Sequence, residues 1–400
     1  MIARTRYLNQ LSRWKGKRVI KVVTGMRRCG KSTLLQQFQD LLRSQGVDSS
    51  HIISVNFEDY AFESLLDPRA LHAYIIERLP DEGIAYVFLD EVQNVPDFQK
   101  VVDSLFIREN IDLYITGSNA YMLSGELATL LSGRYISIEM LPLSFAEYVD
   151  WCGDKADLPK KYVDYLENSS FPYALELGGN PKMIDEYLRG IYSTVVLKDV
   201  LARLKTADPM ILESVLRFAF DGVGSIVSTK KIADTLTSSG RKIDARTVER
   251  YLSACIDSYI VYRVKRYDVK GKQHLKTLDK YYASDMGLRS MLLGRKYTDV
   301  GHILENVVYL EIVRRGYDVY IGKVDDMEID FVASGVDGLE YYQVAATVRE
   351  ESTLERELRV LRKVTDNYPK YLLTLDEDPA ADFDGIKKMN ALEWLLGGRQ

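Results

Sequence analysis

The chain has 400 residues, of which 46% are hydrophobic and 28% charged, and 53 Lys and Arg against 58 Asp and Glu give a formal net charge of −5. That apolar content excludes an intrinsically disordered chain, and the length predicts about two or three folded domains. The slight acidic excess excludes an overall basic surface, so a nucleic acid or an anionic membrane would have to be bound by a local patch.

Cysteine usage and hydropathy indicate where the protein resides. The three cysteines, Cys29, Cys152 and Cys255, match no metal-binding spacing and leave one thiol over in any pairing. An odd, widely spaced set is typical of a reducing compartment. No stretch has an apolar run as long as a signal peptide or a membrane span. We therefore expect a soluble, cytoplasmic protein that is not bound to a membrane.

A glycine loop joins the first predicted strand, residues 19–24, to a helix that contains residues 33–42. The loop and the start of the helix consist of Gly25, Met26, Arg27, Arg28, Cys29, Gly30, Lys31, Ser32 and Thr33. This GxxxxGK[ST] spacing is that of a P-loop, whose glycines let successive N–H groups turn toward one phosphate. Lys31 would reach the outer phosphates, and the Ser32 hydroxyl would bind Mg²⁺. The expected ligand is a nucleoside triphosphate, ATP, with Mg²⁺.

Two acids end a later apolar strand. Residues 52–57 predict a strand, residues 71–78 a helix, and residues 85–89 a third strand that continues directly into Asp90 and Glu91. Beside a P-loop, the first acid would orient the magnesium shell and the second would polarise the attacking water. The alternative is a solvated acidic turn.

The next segments carry a resemblance to a known family. A helix over 98–106 and a strand over 113–116 lead to Gly117-Ser118-Asn119, and a helix over 121–131 leads to Gly133-Arg134 before a strand over 135–140. With the P-loop, the Asp90-Glu91 pair and the segment 141–147, this resembles the AAA-type ATPases of bacteria and archaea whose C-terminal half is endonuclease-like.

The resemblance implies an α/β fold and roles for two residues. The fold would be a five-stranded parallel core with the P-loop strand central. Asn119 would sense the γ-phosphate, and Arg134 would act as a finger in the site of a neighbouring subunit, which requires a ring or another homo-oligomer. Taken alone, Asn119 would be a turn former and Arg134 a surface residue at a helix C-terminus.

The whole chain is predicted to contain four domains: an ATPase core (1–150), a helical lid (151–215), a winged helix (216–280) and a degenerate restriction-endonuclease-like α/β domain (281–400). In similar ATPases a glycine pair before Phe-Pro lies near the nucleotide base. Here Ser169 and Ser170 precede Phe171-Pro172, so a base contact at this position is in doubt.

Helices over 228–236 and 244–256, separated by a turn at Gly240, resemble a helix-turn-helix followed by a winged strand pair. Arg246 and Arg250 lie one turn apart and would face outward. The wing would carry a further basic set: Arg263, Lys265, Arg266, Lys270, Lys272 and Lys276. This local excess on an acidic protein favours a DNA phosphate backbone as partner. A protein-binding module with a solvated lysine-rich hairpin is the open alternative.

The last domain resembles the restriction-endonuclease-like fold, with a helix over 302–314 and strands over 318–321, 328–332 and 339–345. Glu305 and Asp330 match its metal-binding acids, but Gln343 replaces the third acid and Ala345 replaces the lysine. Without a cation at position 345, nothing would stabilise the developing negative charge. We therefore expect a degenerate site in a domain kept for packing or binding, although Glu305, Asp330 and Gln343 would suffice to hold Mg²⁺ weakly.

These patterns predict a Mg²⁺-dependent ATP hydrolase that acts as a homo-oligomer on nucleic acid. Two alternatives stay open: an ATP-controlled signalling switch or scaffold that binds protein partners, and, less favoured, an ATP-driven nuclease.

Overall fold

The computed structural model describes residues 2–120, 131, 133–201, 204, 208–271, 273–274, 279–294 and 299–397, with the side chains of 196–198 and 274 excepted. The predicted helix over 121–131, apart from its last residue, and Lys272 and Lys276 lie outside these ranges. The chain divides into two compact units, Met1–Pro142 with Asp257–Tyr259, and Leu143–Ile256 with Ile260–Gln400. The finer division into four domains stays a prediction.

The first unit is an α/β layer structure around a five-stranded parallel sheet. Its strands are β1 (Ile20–Thr24), β2 (Ile52–Asn56), β3 (Ala85–Asp90), β4 (Ile111–Gly117) and β5 (Tyr135–Glu139). Its helices in the described residues are α1 (Thr5–Trp14), α2 (Lys31–Ser44), α3 (Pro68–Ile76) and α4 (Phe98–Phe106). Every residue of β1 and β3 is buried, because a parallel sheet of this kind is covered by helices on both faces.

The strand order is β2-β3-β4-β1-β5. The expectation that the P-loop strand is central is therefore wrong, since β4 is the middle strand and β1 lies between β4 and β5. The same order places β4 between the P-loop strand and the strand that ends at Asp90. The polar residues after β4 consequently lie at the sheet edge that the P-loop and the two acids share.

The second unit contains most of the helices. They are α5 (Phe145–Cys152), α6 (Leu158–Asn168), α7 (Pro172–Leu175), α8 (Pro181–Thr194), α9 (Pro209–Asp221), α10 (Thr229–Ser238), α11 (Ala245–Asp257, whose last residue belongs to the first unit), α12 (Met286–Leu293), α13 (Val300–Arg314), α14 (Glu351–Arg362) and α15 (Ala391–Leu395). A π-helical segment, Val195–Leu201, follows α8. Most begin at a capping Asp, Asn or Ser, and Ser144 with Glu147 forms a full capping box at α5.

Two sheets accompany these helices. The first is three-stranded and antiparallel, with the order β6-β10-β7, from β6 (Ile226–Val227), β7 (Val261–Val264) and β10 (Asp279–Ala283). The second has eight strands in the order β15-β16-β14-β13-β12-β11-β8-β9. Its members are β8 (Arg266–Asp268), β9 (Gln273–His274), β11 (Asp318–Val324), β12 (Met327–Gly335), β13 (Gly338–Ala345), β14 (Lys370–Thr374), β15 (Ala381–Phe383) and β16 (Ile386–Asn390). Helix α13, strands β11 to β13, helix α14 and strand β14 follow one another along the chain. These four strands are the middle strands of the eight-stranded sheet.

The predicted basic wing is divided between these two sheets, which corrects the expectation that its residues lie together on one hairpin. Arg263 lies on β7 of the three-stranded sheet, whereas Arg266 begins β8, which pairs in parallel with β11 of the eight-stranded sheet. Lys265 lies between them, and its carbonyl already accepts a hydrogen bond from Ile321 of β11. Because β8 forms backbone hydrogen bonds with β11, this part of the chain belongs to the eight-stranded sheet and does not form a wing with β7.

No helix in the described part of the chain combines the length and the apolar character needed to cross a membrane.

Candidate functional site

The P-loop connects the carboxyl end of β1 to the start of α2. Gly25 has φ +146 and lies so close to the segment after β5 that an added Cβ would overlap the carbonyl oxygen of Met140. Gly30 has φ +104 and is the N-cap of α2. Both conformations favour glycine, and together they turn the loop over the helix N-terminus, where backbone N–H groups and the helix dipole attract an anion.

Asp90 ends β3 beside this loop. Its carboxylate accepts hydrogen bonds from the hydroxyls of Ser32, at the start of α2, and of Thr116, on β4. Burial raises the pKa of Asp90 above its ordinary value despite these hydrogen bonds. A buried carboxylate of this kind is stabilised by a cation, and a serine hydroxyl adjoins it.

Glu91 follows Asp90 with φ +54, a strained conformation for a residue other than glycine, and its N–H donates to Thr116 Oγ1 at 2.9 Å. Its carboxylate lies 3.2 Å from Nζ of Lys31 and accepts a hydrogen bond from the side-chain amide of Gln93. The same amide also reaches Ser118 Oγ, at 3.4 Å. Glu91 thus contacts Thr116 on β4, Lys31 on α2 and Gln93, two residues further along the chain.

The pKa values of Asp90 and Glu91 are shifted in opposite directions. Burial alone would raise the pKa of Glu91, but the charge of Lys31 and the hydrogen bond from Gln93 hold it below its ordinary value. The pKa of Asp90 is shifted upward. Neighbouring carboxylates whose pKa values are pushed apart are typical of sites in which each has a separate chemical task.

Ser32 and Asp90 form a fitting donor set for Mg²⁺. This ion is bound in nucleotide sites by one or two protein oxygens, the phosphates and water, rather than by an all-protein cage. The described residues contain no cluster of three or more acidic, histidine or cysteine side chains that could hold a metal ion by themselves.

Lys31 lies at the centre of the site and is only 4% exposed. Its ammonium donates to the carbonyls of Gly25 and Met26, at 3.1 and 3.3 Å, in addition to its ion pair with Glu91. The remaining P-loop side chains differ in environment. Met26 and Cys29 are buried, Arg28 is exposed, and Arg27 pairs with Glu58 at 2.8 Å.

Asn119 and Arg134 lie at opposite edges of the sheet. Asn119 follows β4 at the carboxyl edge, with the P-loop. Arg134 precedes β5 at the other edge, where its carbonyl accepts a hydrogen bond from Ile20 at the start of β1. The Arg134 guanidinium pairs with Asp103 and lies 5.8 Å from the ring centroid of Phe106. Arg134 therefore lies apart from the P-loop of the same chain.

Ser169 and Ser170 have a packing role. Both hydroxyls and the Ser170 N–H donate to Oδ2 of Asp285, at 2.7 to 3.1 Å, and all three residues are buried. An added Cβ on Gly287 would lie 2.5 Å from Ser169 Cβ, so this glycine lets the serine turn approach the start of α12. The hydroxyls of the serine pair thus bind Asp285, a contact that glycines could not make.

The acids predicted in the C-terminal part come together around a lysine that the sequence analysis did not identify. Lys280 of β10 lies 3.0 Å from Glu305 on α13 and 2.7 Å from Glu328 on β12, and it is 3% exposed. Asp330 and Gln343 adjoin on β12 and β13, where Asp330 accepts from Val344 N–H at 2.8 Å.

The charges around Lys280 shift two pKa values. Burial would lower the pKa of Lys280, but the neighbouring carboxylates of Glu305 and Glu328 raise it above its ordinary value. Burial and the charge of Glu305 raise the pKa of Asp330 well above its ordinary value. The cluster thus contains a cationic side chain, but it is Lys280 on β10 and not a residue at position 345. Its ammonium is already paired with the carboxylates of Glu305 and Glu328.

Arg246 and Arg250 are exposed on α11, as the helical spacing predicts. Two members of the basic set are paired with acids of the same unit. Lys270 lies 2.6 Å from Asp325, and Arg263 lies 4.0 Å from Asp279. The described basic residues therefore form no continuous stripe along one strand pair.

Comparison with known proteins matches two separate parts of the chain to families. A family described as "AAA domain" matches residues 17–149, and one described as a domain of unknown function (DUF8612) matches residues 159–299. An uncharacterized protein of Haemophilus influenzae is 40% identical over 404 residues and covers 99% of both chains. An uncharacterized protein of Methanocaldococcus jannaschii is 29% identical over 383 residues, which are 90% of this chain and 82% of that protein.

A solved structure, described as the Walker-type ATPase of Pyrococcus abyssi, covers 73% of this chain and 96% of its own, with a TM-score of 0.52 and 14% identity. At that identity the similarity concerns the fold alone.

Proposed function

Because the chain belongs to the same family as the Haemophilus influenzae protein and carries an AAA domain, we propose that it is a Mg²⁺-dependent ATP hydrolase that acts as a homo-oligomer on nucleic acid. ATP hydrolysis is supported by one observation: Lys31, Asp90 and Glu91 lie together at the carboxyl edge of the sheet. There the Ser32 hydroxyl is hydrogen-bonded to Asp90.

Each residue has a task in this proposal. The phosphates lie on the N–H groups of residues 25–30 and on the N-terminus of α2, and Lys31 exchanges its carbonyl and carboxylate partners for phosphate oxygens. Glu91, freed from that ion pair, orients the attacking water and accepts its proton. Ser32 and Asp90 would hold Mg²⁺, which would supply positive charge to neutralise the phosphoryl group.

Three further residues take part in the reaction. Thr116 supports both acids at once, since it donates to Asp90 and accepts from the Glu91 N–H. Asn119, at the same edge, contacts the γ-phosphate. Arg134 lies at the opposite edge, so it acts in the site of a neighbouring subunit, and this requirement is the basis for the proposed oligomer.

The nucleic-acid part is supported by the exposed Arg246 and Arg250 near the start of α11, the second helix of the predicted helix-turn-helix. Lys265 is also exposed. Contacts from such residues to phosphates would release counterions, so binding would weaken steeply with added salt.

The test is the ATPase rate of the full chain, with ATP and with GTP, measured alone and with single-stranded, duplex and branched DNA across a salt series. We expect hydrolysis that DNA stimulates, with a stimulation that disappears as salt rises. Mass determination with and without ATP tests the oligomer. Absence of triphosphate binding would overturn the whole proposal.

A second candidate, an ATP-controlled switch that binds protein partners, is favoured by one observation. The basic residues are divided between two sheets, and Lys270 and Arg263 already have acidic partners. This candidate predicts slow hydrolysis that no nucleic acid changes.

An ATP-driven nuclease is the least favoured candidate, because the carboxylates of Glu305 and Glu328 are already ion-paired with Lys280. It predicts cutting of DNA in Mg²⁺ or Mn²⁺ that Asp330→Ala abolishes. Intact DNA under both metals would exclude it.

A further inference from the structure

Arg4 is a buried charged residue for which the proposed mechanism has no role. It precedes α1, is only 2% exposed, and its guanidinium lies 5.0 Å from the ring centroid of Tyr7. Placing an arginine in the interior is costly unless its donors are satisfied. The positions of its acceptors therefore indicate what the residue does.

The guanidinium joins the P-loop to the segment that follows β5. Nη1 donates to the carbonyl of Cys29 at 3.0 Å, and Nη2 donates to the carbonyls of Leu141 and Pro142, at 2.7 and 3.4 Å. These acceptors are main-chain atoms, so the contact holds the path of the backbone. The planar fork of an arginine suits such bridging, and a lysine ammonium has no equivalent geometry.

The carbonyl of Cys29 is part of the peptide whose N–H belongs to Gly30. In a trans peptide the C=O and N–H point in opposite directions, so fixing the carbonyl toward Arg4 also fixes the direction of the Gly30 N–H. That N–H lies in the stretch that a P-loop uses to bind phosphate. With φ +104, Gly30 is otherwise free to adopt other peptide orientations.

The N-terminal segment itself is firmly held. The Arg4 N–H donates to Oε1 of Gln37 on α2 at 3.3 Å, and the Gln37 amide donates to the carbonyl of Ile2 at 2.7 Å. The Tyr7 hydroxyl accepts from the N–H of Leu141 at 3.1 Å. Arg4 is thus anchored to α2 and to the chain after β5, and from that position it reaches the loop.

We propose that Arg4 is a positioning residue for nucleotide binding, because its guanidinium orients the Cys29–Gly30 peptide so that the P-loop is preformed for the triphosphate. The inference rests on the proposed ATP hydrolysis, and a titration of the wild-type chain tests that premise separately. A preformed site binds more tightly because less ordering is required upon binding.

The experiment compares Arg4→Ala, Arg4→Lys and Tyr7→Phe in the full chain, with a fluorescent ATP analogue for affinity, steady-state kinetics, and thermal melting without nucleotide. We expect Arg4→Ala to weaken binding and raise KM by about tenfold or more, with a smaller change in kcat. Arg4→Lys, which keeps the charge, should recover only part of the affinity.

Tyr7→Phe is the matched control. It removes the hydrogen bond that the Tyr7 hydroxyl accepts from Leu141 in the same docking contact and keeps the ring beside Arg4, so it should lower the melting temperature and leave ATP affinity unchanged. If Arg4→Lys and Tyr7→Phe destabilise the chain to the same extent and both bind ATP as the wild type does, Arg4 is merely structural and the inference is overturned. If the wild type itself does not bind ATP, the proposed function fails instead.

Discussion

The ammonium of Lys31 and the carboxylate of Glu91 form an ion pair, with 3.2 Å between Nζ and Oε1, in a site where both side chains are buried. Each of these groups has a different partner in the proposed reaction, phosphate for the lysine and water for the glutamate. Nucleotide binding would therefore free the glutamate at the moment when the lysine is neutralised by phosphate.

We expect Glu91→Gln to bind ATP normally and to hydrolyse it about 10² to 10⁴ times more slowly, because the amide has the same shape but accepts no proton. Affinity measured with a fluorescent ATP analogue and single-turnover hydrolysis distinguish the two effects. Glu58→Gln is the control, since Glu58 pairs with Arg27 of the P-loop but has no part in the reaction. Wild-type hydrolysis by Glu91→Gln would exclude Glu91 as the base.

Arg134→Ala should leave ATP affinity unchanged and abolish hydrolysis, since a finger contributes about 10³ to 10⁵ in rate. Mixing it with Lys31→Ala subunits should restore part of the activity, because one subunit then supplies an intact P-loop and the other an intact finger. Arg108→Ala, at an exposed arginine close to α4, is the control and should hydrolyse ATP normally. A lack of rescue on mixing would argue against action between subunits.

For the nucleic-acid interface, replacing Arg246 or Arg250 by Ala should weaken DNA binding similarly for all sequences. The slope of log affinity against log salt should fall by about 1 for each phosphate that the variant no longer neutralises. Lys270→Ala is the control, because Lys270 already pairs with Asp325. Unchanged slopes for both arginine variants would favour the protein-partner candidate.

In the second unit, Lys280→Met should cost about 3 to 5 kcal/mol in the free energy of unfolding, because it leaves buried Glu305 without its cation. Denaturant unfolding of the full chain measures the loss. Lys270→Met removes an exposed pair and should cost at most about 1 kcal/mol. A similar small loss for both variants would show that Lys280 is not needed as a counterion.

Asp330→Asn should make stability less dependent on pH. Because burial and Glu305 raise the pKa of Asp330, the folded chain keeps a proton that the unfolded chain loses near pH 4. The free energy of unfolding contributed by this group therefore decreases as pH rises from there through the raised pKa. Unfolding of wild type and variant between pH 5 and 8 measures the difference. Asp337→Asn, in an exposed turn, should behave as the wild type does, and equal pH profiles for all three would contradict the assignment.

Local patterns predicted the parts of the fold that depend on neighbours in sequence. The P-loop, the apolar strands and the Asp90-Glu91 pair are each contained in a short stretch, and the fold contains them as predicted. The residues that support the site were missed because their partners are distant in sequence. Thr116 reaches Asp90 across 26 positions, and Arg4 reaches Leu141 across 137.

The same reason explains the two errors in the sheets. Whether β1 or β4 is the middle strand depends on which strands pair, and no single stretch encodes that choice. Arg266 lies in a basic stretch that is typical of a wing, but its strand, β8, pairs with β11, more than fifty residues later in the chain. Lys280 went unnoticed because its charge partner, Glu305, comes from a helix 25 positions away.

Residues Asp257–Tyr259 belong to the first unit although the chain on both sides of them belongs to the second. The carbonyl of Asp257 accepts a hydrogen bond from Ala120 at 2.9 Å, and Tyr259 is buried with φ +57. A gene truncated after codon 142 would therefore encode an incomplete ATPase core. An exchange of C-terminal halves between related genes would likewise need to retain this tripeptide, so the halves are expected to be inherited together rather than shuffled as independent modules.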